Sequence, residues 1–276
     1  MKIFDCFMYF DEDTVLELRL NVLDKFIDYF VIVESTFTHK GDKRKLKFDI
    51  KKFSKFKHKI IYLVYDIEPK NIEKILESDD EKKKSIKYIL NAAYRENGQR
   101  NFISNGLKDA QPNDLILISD ADEIPNFDML NKIKLKNFAL FRQKNFLYKL
   151  NLMSDDNWLG TGICYKKYLQ SPQWLRNKRF LRRGFIRRIF FKTQIIENGG
   201  WHFTFLKKPE DIVKKMKSYG HGDLEKLGDI ENIKKSIEQN KFFIDNKINL
   251  TKVEINKNLP KFIIDNQDYF KEWIDY

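Results

Sequence analysis

Four consecutive apolar residues, Leu115 to Ile118, run straight into Ser119-Asp120-Ala121-Asp122-Glu123-Ile124-Pro125. A run so short and uniformly apolar, entered through the turn Pro112-Asn113-Asp114, reads as a β-strand buried on both faces. Such a strand needs a cover on each side, and helices supply it in α/β proteins. The first half of the chain fits this pattern. Ile3 to Phe10, Tyr29 to Val33 and Ile60 to Tyr65 are further strand-length apolar runs, while Val15, Leu18, Val22, Leu23 and Phe26 recur at helical spacing. The alternation predicts an α/β fold, a mostly parallel twisted sheet flanked by helices, with ligands bound beyond the strands' carboxyl ends. Residues 81–107 read as helix, with Asn97-Gly98 as a breaker that starts a new helix near Gln99. Lys43 to Lys59 reads as a mobile loop or edge element. After Asn145 the pattern turns irregular, and only Pro209 to Met216 and Asp229 to Asn246 read as helical. A length of 276 residues suits one large core. The expected organisation is a body over residues 1–225 and a helical C-terminal extension, 226–276, packed on it.

Composition narrows the classes. Cys6 and Cys164 stand far apart, with no Cys or His pairing of metal-site spacing, which argues against a disulfide scaffold or zinc ribbon. The first residues lack a charged stretch followed by a long apolar one, and no run reaches spanning length, so the expectation is a soluble, cytoplasmic chain. The net charge of +12 attracts anions, whether nucleic acid, an acidic membrane or phosphorylated small molecules. It does not choose among them, and a lysine- and asparagine-rich composition also echoes nucleotide bias.

Asp120 and Asp122 carry the chemistry of the sequence. Two carboxylates one residue apart at the end of a buried strand need positive charge nearby to offset desolvation. A divalent ion meets that need: carboxylate oxygens suit Mg²⁺ or Mn²⁺, which would keep positions open for phosphate oxygens and neutralise a departing diphosphate. The plain alternative is a solvated acidic turn. Arg100 and Asn101 would lie in the first turn of a helix if the chain breaks at Gly98, where backbone donors and a guanidinium favour phosphate; the alternative is an Arg paired with a carboxylate. Glu34 ends a strand on the same edge, placed to accept bonds from a ribose or base. Gly199-Gly200-Trp201-His202 joins close backbone approach to an aromatic sugar platform and a metal- or proton-binding ring. A base for the attacking hydroxyl would come from Asp155, Asp156, Glu123 or Glu197, with Asp156 beside Trp158 preferred and Glu123 next.

Longer blocks carry a resemblance. Phe4-Asp5-Cys6-Phe7, Phe10, Glu12, Glu17-Leu18-Arg19-Leu20, Asp28, Phe30 to Glu34 and Thr36, then Arg95-Glu96 and Gln99-Arg100-Asn101, resemble glycosyltransferase family 17. Asp120 to Pro125, Ser171-Pro172, Gly199 to Phe203 and Lys217-Ser218-Tyr219-Gly220-His221 are similar to later blocks of it. The resemblance implies a GT-A fold, a UDP-sugar donor, with UDP-GlcNAc expected, a glycan acceptor and inversion at the anomeric carbon. It places Glu34, Arg95, Gln99, Arg100, Asn101, Asp120 and Trp201 at the donor and Asp120, Asp122 and His202 at Mn²⁺ or Mg²⁺. Gly98 and Gly220 depart from the bulkier residues expected there.

Between Trp174 and Lys192 eight basic residues and no acidic one interleave with aromatics. This reads as a hairpin with solvated arginines, giving weak contact with anionic membrane surfaces as a secondary effect. Two other classes stay open. In a haloacid-dehalogenase-like phosphatase Asp120 would be the nucleophile and Asp122 the general acid, but in that family the pair follows the first strand, whereas here at least three candidate strands precede it, and Ile124 stands where Thr or Val is expected. An RNA-binding module fits the charge, but no aromatic strand motif or paired zinc ligands accompany it, so no specific nucleic acid is expected.

Overall fold

The computed structural model describes residues 1–179, 193–218, 228–256 and 258–276. In it, β1 (Ile3–Tyr9), β2 (Tyr29–Ser35), β3 (Ile60–Tyr65) and β4 (Leu115–Asp120) form a parallel set in the order β3-β2-β1-β4. Helix α1 (Asp13–Leu23) crosses from β1 to β2, and α2 (Glu81–Phe102) leads from β3 towards β4. The strands alternate cleanly between two cores. Phe30, Ile32, Leu115 and Leu117 join the α1 side, while Val31, Val33, Ile116 and Ile118 join the side that carries Ile103 and Leu107. Residues buried on both faces produce the uniform apolar runs of the sequence.

Beyond β4 the sheet changes character. Strands β5 (Glu123–Pro125), β6 (Phe138–Leu147), β7 (Leu152–Tyr165), β8 (Gln194–Ile196), β9 (Gly200–Thr204) and β10 (Leu250–Lys252) extend it to ten strands, with β4-β7 and β6-β7 antiparallel. The long strand β7 lies where the sequence reads as irregular. Its register on β6 jumps from Lys144↔Asn157 to Asn145↔Ser154, leaving Asp155 and Asp156 out of the ladder. A bulge of that kind breaks the period of two on which strand recognition depends. Short helices α3 (Phe127–Leu130) and α4 (Pro172–Asn177) flank this half. Ser171 caps α4 by accepting a bond from the Trp174 amide at 3.1 Å, with Pro172 at the first helical position.

Two local expectations are corrected. Helix α2 is continuous through Gly98, and a Cβ there would come within 2.2 Å of the Tyr65 hydroxyl: the glycine makes room for a ring and does not break the helix. The segment 43–59 is pinned, its Phe48 ring stacked on Tyr62 at 4.6 Å and its Phe53 and Phe56 buried. In the C-terminal part α5 (Pro209–Ser218), α6 (Ile230–Glu238) and α7 (Lys261–Asp265) accompany β10, which pairs with β7. Helix α6 ends well before Asn246, and Asn240 sits at φ 52° just beyond it. Leu259, Ile263 and Phe270 complete the core beneath α1.

Candidate active site

A cleft of about 290 Å³ opens at the carboxyl ends of β1, β2 and β4. Phe10 and Glu12 follow β1, Ser35 ends β2, and Phe37, His39 and Arg44 follow it. Helix α2 contributes Glu96, Gln99 and Arg100, the end of β4 contributes Asp120, and the turn after it contributes Asp122. Trp158 from β7, Arg179, His202 from β9 and Lys215 from α5 close the far wall.

The acidic turn is built on a buried arginine. Arg19, fully enclosed, donates two bonds to the Asp5 carboxylate at 2.7 and 2.5 Å and one to Ser119 Oγ at 2.5 Å. Its remaining terminal nitrogen reaches the carbonyls of Asp120 at 3.1 Å, Ala121 at 3.2 Å and Glu123 at 2.7 Å. The turn's backbone acceptors are thus satisfied without water, which fixes where Asp120 and Asp122 emerge.

The Asp120 side chain meets Arg100 at 3.0 Å and also pairs with Arg176. Enclosure alone would raise the Asp120 carboxyl, yet the Arg176 and Arg100 guanidinium groups hold it well below the usual carboxylate range. Arg176, from α4, also binds both oxygens of the fully buried Glu123, at 2.6 and 2.7 Å. Glu123 further accepts from Trp158 Nε1 at 2.6 Å and from the Asp120 amide at 3.1 Å. At the cleft edge Glu12 lies 3.2 Å from Lys215, and Lys207 pairs with the neighbouring Asp11. Burial would raise the Glu12 carboxyl, but Lys215 and Lys207 bring it down to about 2.

Register brings Asp122 to His202. Strand β5 pairs with β9 so that Glu123 faces His202 and Pro125 faces Gly200, and the Phe203 amide donates to the Asp122 carbonyl at 2.9 Å. Gly200, at φ 126°, is required there, since a Cβ would sit 2.1 Å from the Ile124 carbonyl. His202 Nε2 then stands 3.5 Å from Asp122 Oδ1. Among the described residues no group of three His, Cys, Asp or Glu side chains converges. Asp122 and His202 nevertheless fit a divalent cation that takes its other ligands from phosphate and water, whereas both oxygens of Asp120 are engaged by arginines.

Of the residues singled out from sequence, the cleft gathers Gln99, Arg100, Asp120, Asp122 and His202. Others fall elsewhere. Glu34 is buried and accepts from Arg44 at 2.9 Å, the Lys47 and Phe48 amides at 2.7 and 3.0 Å and Tyr62 at 2.8 Å, so it anchors the loop instead of facing a ribose. Arg95 pairs with Glu68 and donates to the His39 and Lys40 carbonyls at 3.2 and 3.0 Å, propping that loop from behind. Asn101 accepts from the Gln173 amide at 3.0 Å, outside the cleft. Trp201 gives its Nε1 proton to the Asn258 carbonyl at 2.7 Å, and Trp158 supplies the cleft's indole. Asp156 is exposed in the bulge and Glu123 lies behind the cleft, so neither lines it. Arg100 occupies the last turn of α2, not a first turn, so its contribution is the guanidinium alone. His221 and the arginines Arg182, Arg183, Arg187 and Arg188 lie outside the described residues. The sequence reading gave no site role to Glu12, His39, Glu96, Arg176 or Lys215, although Glu12 and Glu96 stand in the blocks that resemble the family. Glu96, Gln99 and Arg100 share a helical face at spacings of three and four, a signal that separates them from Asn101.

Comparison with known proteins adds to this geometry. The profile of glycosyltransferase family 17 matches residues 1–272. The chain belongs to glycosyltransferase family 17. A curated relative from Rattus norvegicus, named beta-1,4-mannosyl-glycoprotein 4-beta-N-acetylglucosaminyltransferase, is 25% identical over 94% of this chain and 52% of its own length. The identically named protein of Homo sapiens is 25% identical over 96% of this chain and 53% of its own length. The family 17 chain therefore spans about half the length of these relatives. Family membership sets aside the phosphatase and RNA-binding readings. Among the described residues no helix is long and apolar enough to cross a membrane.

Proposed function

We propose that the chain transfers a sugar, GlcNAc, from a UDP-sugar to a hydroxyl of a glycan with inversion at the anomeric carbon. The observation that carries this reading is the cleft beyond β4, which Asp120 and Asp122 line together with Arg100, Arg179 and Lys215. In such a transfer the acceptor oxygen bonds to the anomeric carbon as the bond to the diphosphate oxygen breaks, so negative charge grows on the departing UDP. Arg100 and Lys215 are placed to receive it, and Asp120 orients Arg100 through its 3.0 Å bond. Mn²⁺ or Mg²⁺ held by Asp122 and His202 would neutralise the same charge. Phe37 and Trp158 give the cleft apolar faces for a base or sugar ring. The base that takes the acceptor proton must come from groups lining the cleft, which sets aside Asp156 and Glu123.

A donor screen tests the reading. Purified protein with Mn²⁺ should release UDP from UDP-GlcNAc faster than from other UDP-sugars, and a mannose-containing glycan should gain a GlcNAc in β linkage. Failure of every UDP-sugar to yield UDP, with or without a glycan, would refute it.

A further inference from the structure

His202 is surrounded by partners that constrain one ring nitrogen and one ring face. Its Nδ1 lies 2.9 Å from Asn145 Oδ1, and its ring stacks on Trp158 with centroids 4.6 Å apart and planes at 17°. The indole is itself fixed by its bond to the buried Glu123. Asn145 is the register partner of His202 across β6-β9, and it stands at the point where the β6-β7 ladder skips Asp155 and Asp156. Bulges beside functional sites re-aim side chains. With the amide oxygen turned to the ring, Asn145 accepts and Nδ1 donates, and a neutral imidazole carries one proton alone. The Nε2 lone pair is then left on the side of Asp122, 3.5 Å from its carboxylate, with both side chains on the cleft.

We propose that Asn145 is a positioning residue that fixes His202 as the Nδ1–H tautomer, so that the Nε2 lone pair stands beside Asp122 as a ligand for a divalent cation. The cation's part in this rests on the reading of the site given above; the tautomer does not. The reverse amide orientation would donate to Nδ1, put the proton on Nε2 and turn the ring into a donor to Asp122, which is the competing arrangement. A hydrogen bond to the outer nitrogen of a metal-bound imidazole fixes its orientation and strengthens it as a ligand, and loss of such a partner weakens metal affinity about 10–100-fold.

The test uses the protein without donor or acceptor. Nitrogen-15 spectra of histidine-labelled protein at about pH 8.5, where imidazoles are neutral, distinguish protonated from bare ring nitrogens. The chain has four histidines, and His202→Gln identifies the signals of interest. A protonated Nδ1 with a bare Nε2 is expected in the parent, and a protonated Nε2 overturns the proposal. Free Mn²⁺ measured by electron paramagnetic resonance then gives affinities: Asn145→Ala should weaken Mn²⁺ binding about 10–100-fold, while Asn145→Asp, which also accepts from Nδ1–H, should stay near the parent. Unchanged Mn²⁺ affinity in a folded Asn145→Ala protein overturns the proposal. If that variant does not fold, the parent spectrum decides. A failed donor screen beside an intact Nδ1–H signature would sink the transferase reading and leave the tautomer standing.

Discussion

Replacing Arg19 by methionine should damage both the fold and the donor site, and the two losses can be separated. The Arg19 and Asp5 side chains are fully buried as a pair, so methionine keeps much of the stem's volume while stranding the Asp5 charge. Removing one partner of such a pair costs about 3–5 kcal/mol. For a chain of this size each kcal/mol lowers the midpoint of thermal unfolding by about 2 °C, so circular dichroism should show a fall of about 6–10 °C. The double variant Arg19→Met/Asp5→Asn no longer strands a charge and should recover about half of that loss. It still leaves the carbonyls of Asp120, Ala121 and Glu123 without their donor, so UDP-GlcNAc binding should stay about tenfold weaker than in the parent. A single variant that melts within about 2 °C of the parent would refute the energetic argument. A double variant that binds donor like the parent would reduce Arg19 to a counter-charge for Asp5.

Asp122→Asn should abolish transfer with the melting temperature preserved, because the amide keeps the shape and loses the charge; near-parental turnover would remove Asp122 from the site. The Glu12 carboxyl, which Lys215 and Lys207 bring down to about 2 against the rise that burial would cause, contributes stability that is present above its ordinary value of 4.5. That contribution disappears as pH falls from there towards 2, so acid unfolding should be flatter in Glu12→Gln, and identical pH slopes would contradict the pairing. Burial pushes the Cys164 thiol to about 12 and the Cys6 thiol well above its usual range. Both should resist thiol reagents in the native protein and react together on denaturation, and rapid native labelling would show that one is accessible.

The parallel half of the sheet was legible because β1, β2 and β4 are buried on both faces, and apolar runs such as Leu115 to Ile118 announce that directly. Strand β7 was not, since its first part passes through the exposed Asp155, Asp156 and Asn157. Gly98 misled for a related reason: a helical glycine and a helix-breaking glycine look alike until the ring of Tyr65 is known to pack there. At the site, motif position located Asp120, Asp122 and His202, whose neighbours are set by a local turn and by pairing of β5 with β9. The basic partners came from afar. Arg176 lies 56 residues from Asp120, and nothing in either segment names the other. Glu34, Arg95 and Asn101 belong to the blocks that resemble the family, yet here they hold the walls of the cleft instead of lining it.

The pairs Asp11–Lys207 and Glu12–Lys215 join residues 196 and 203 positions apart. Contacts between such distant positions form late, because closing the intervening chain must precede any gain from them. During synthesis at about 5–20 residues per second, β1 would wait about 10–40 s before α5 leaves the ribosome. In the later part of that interval β1 and β4 are both available, but Lys207 and Lys215 are not. The Lys215 side of the cleft is therefore acquired at the end of folding, in the step that docks α5 against the loop after β1, and a half-made chain carries Glu12, the acidic turn and Arg100 without it.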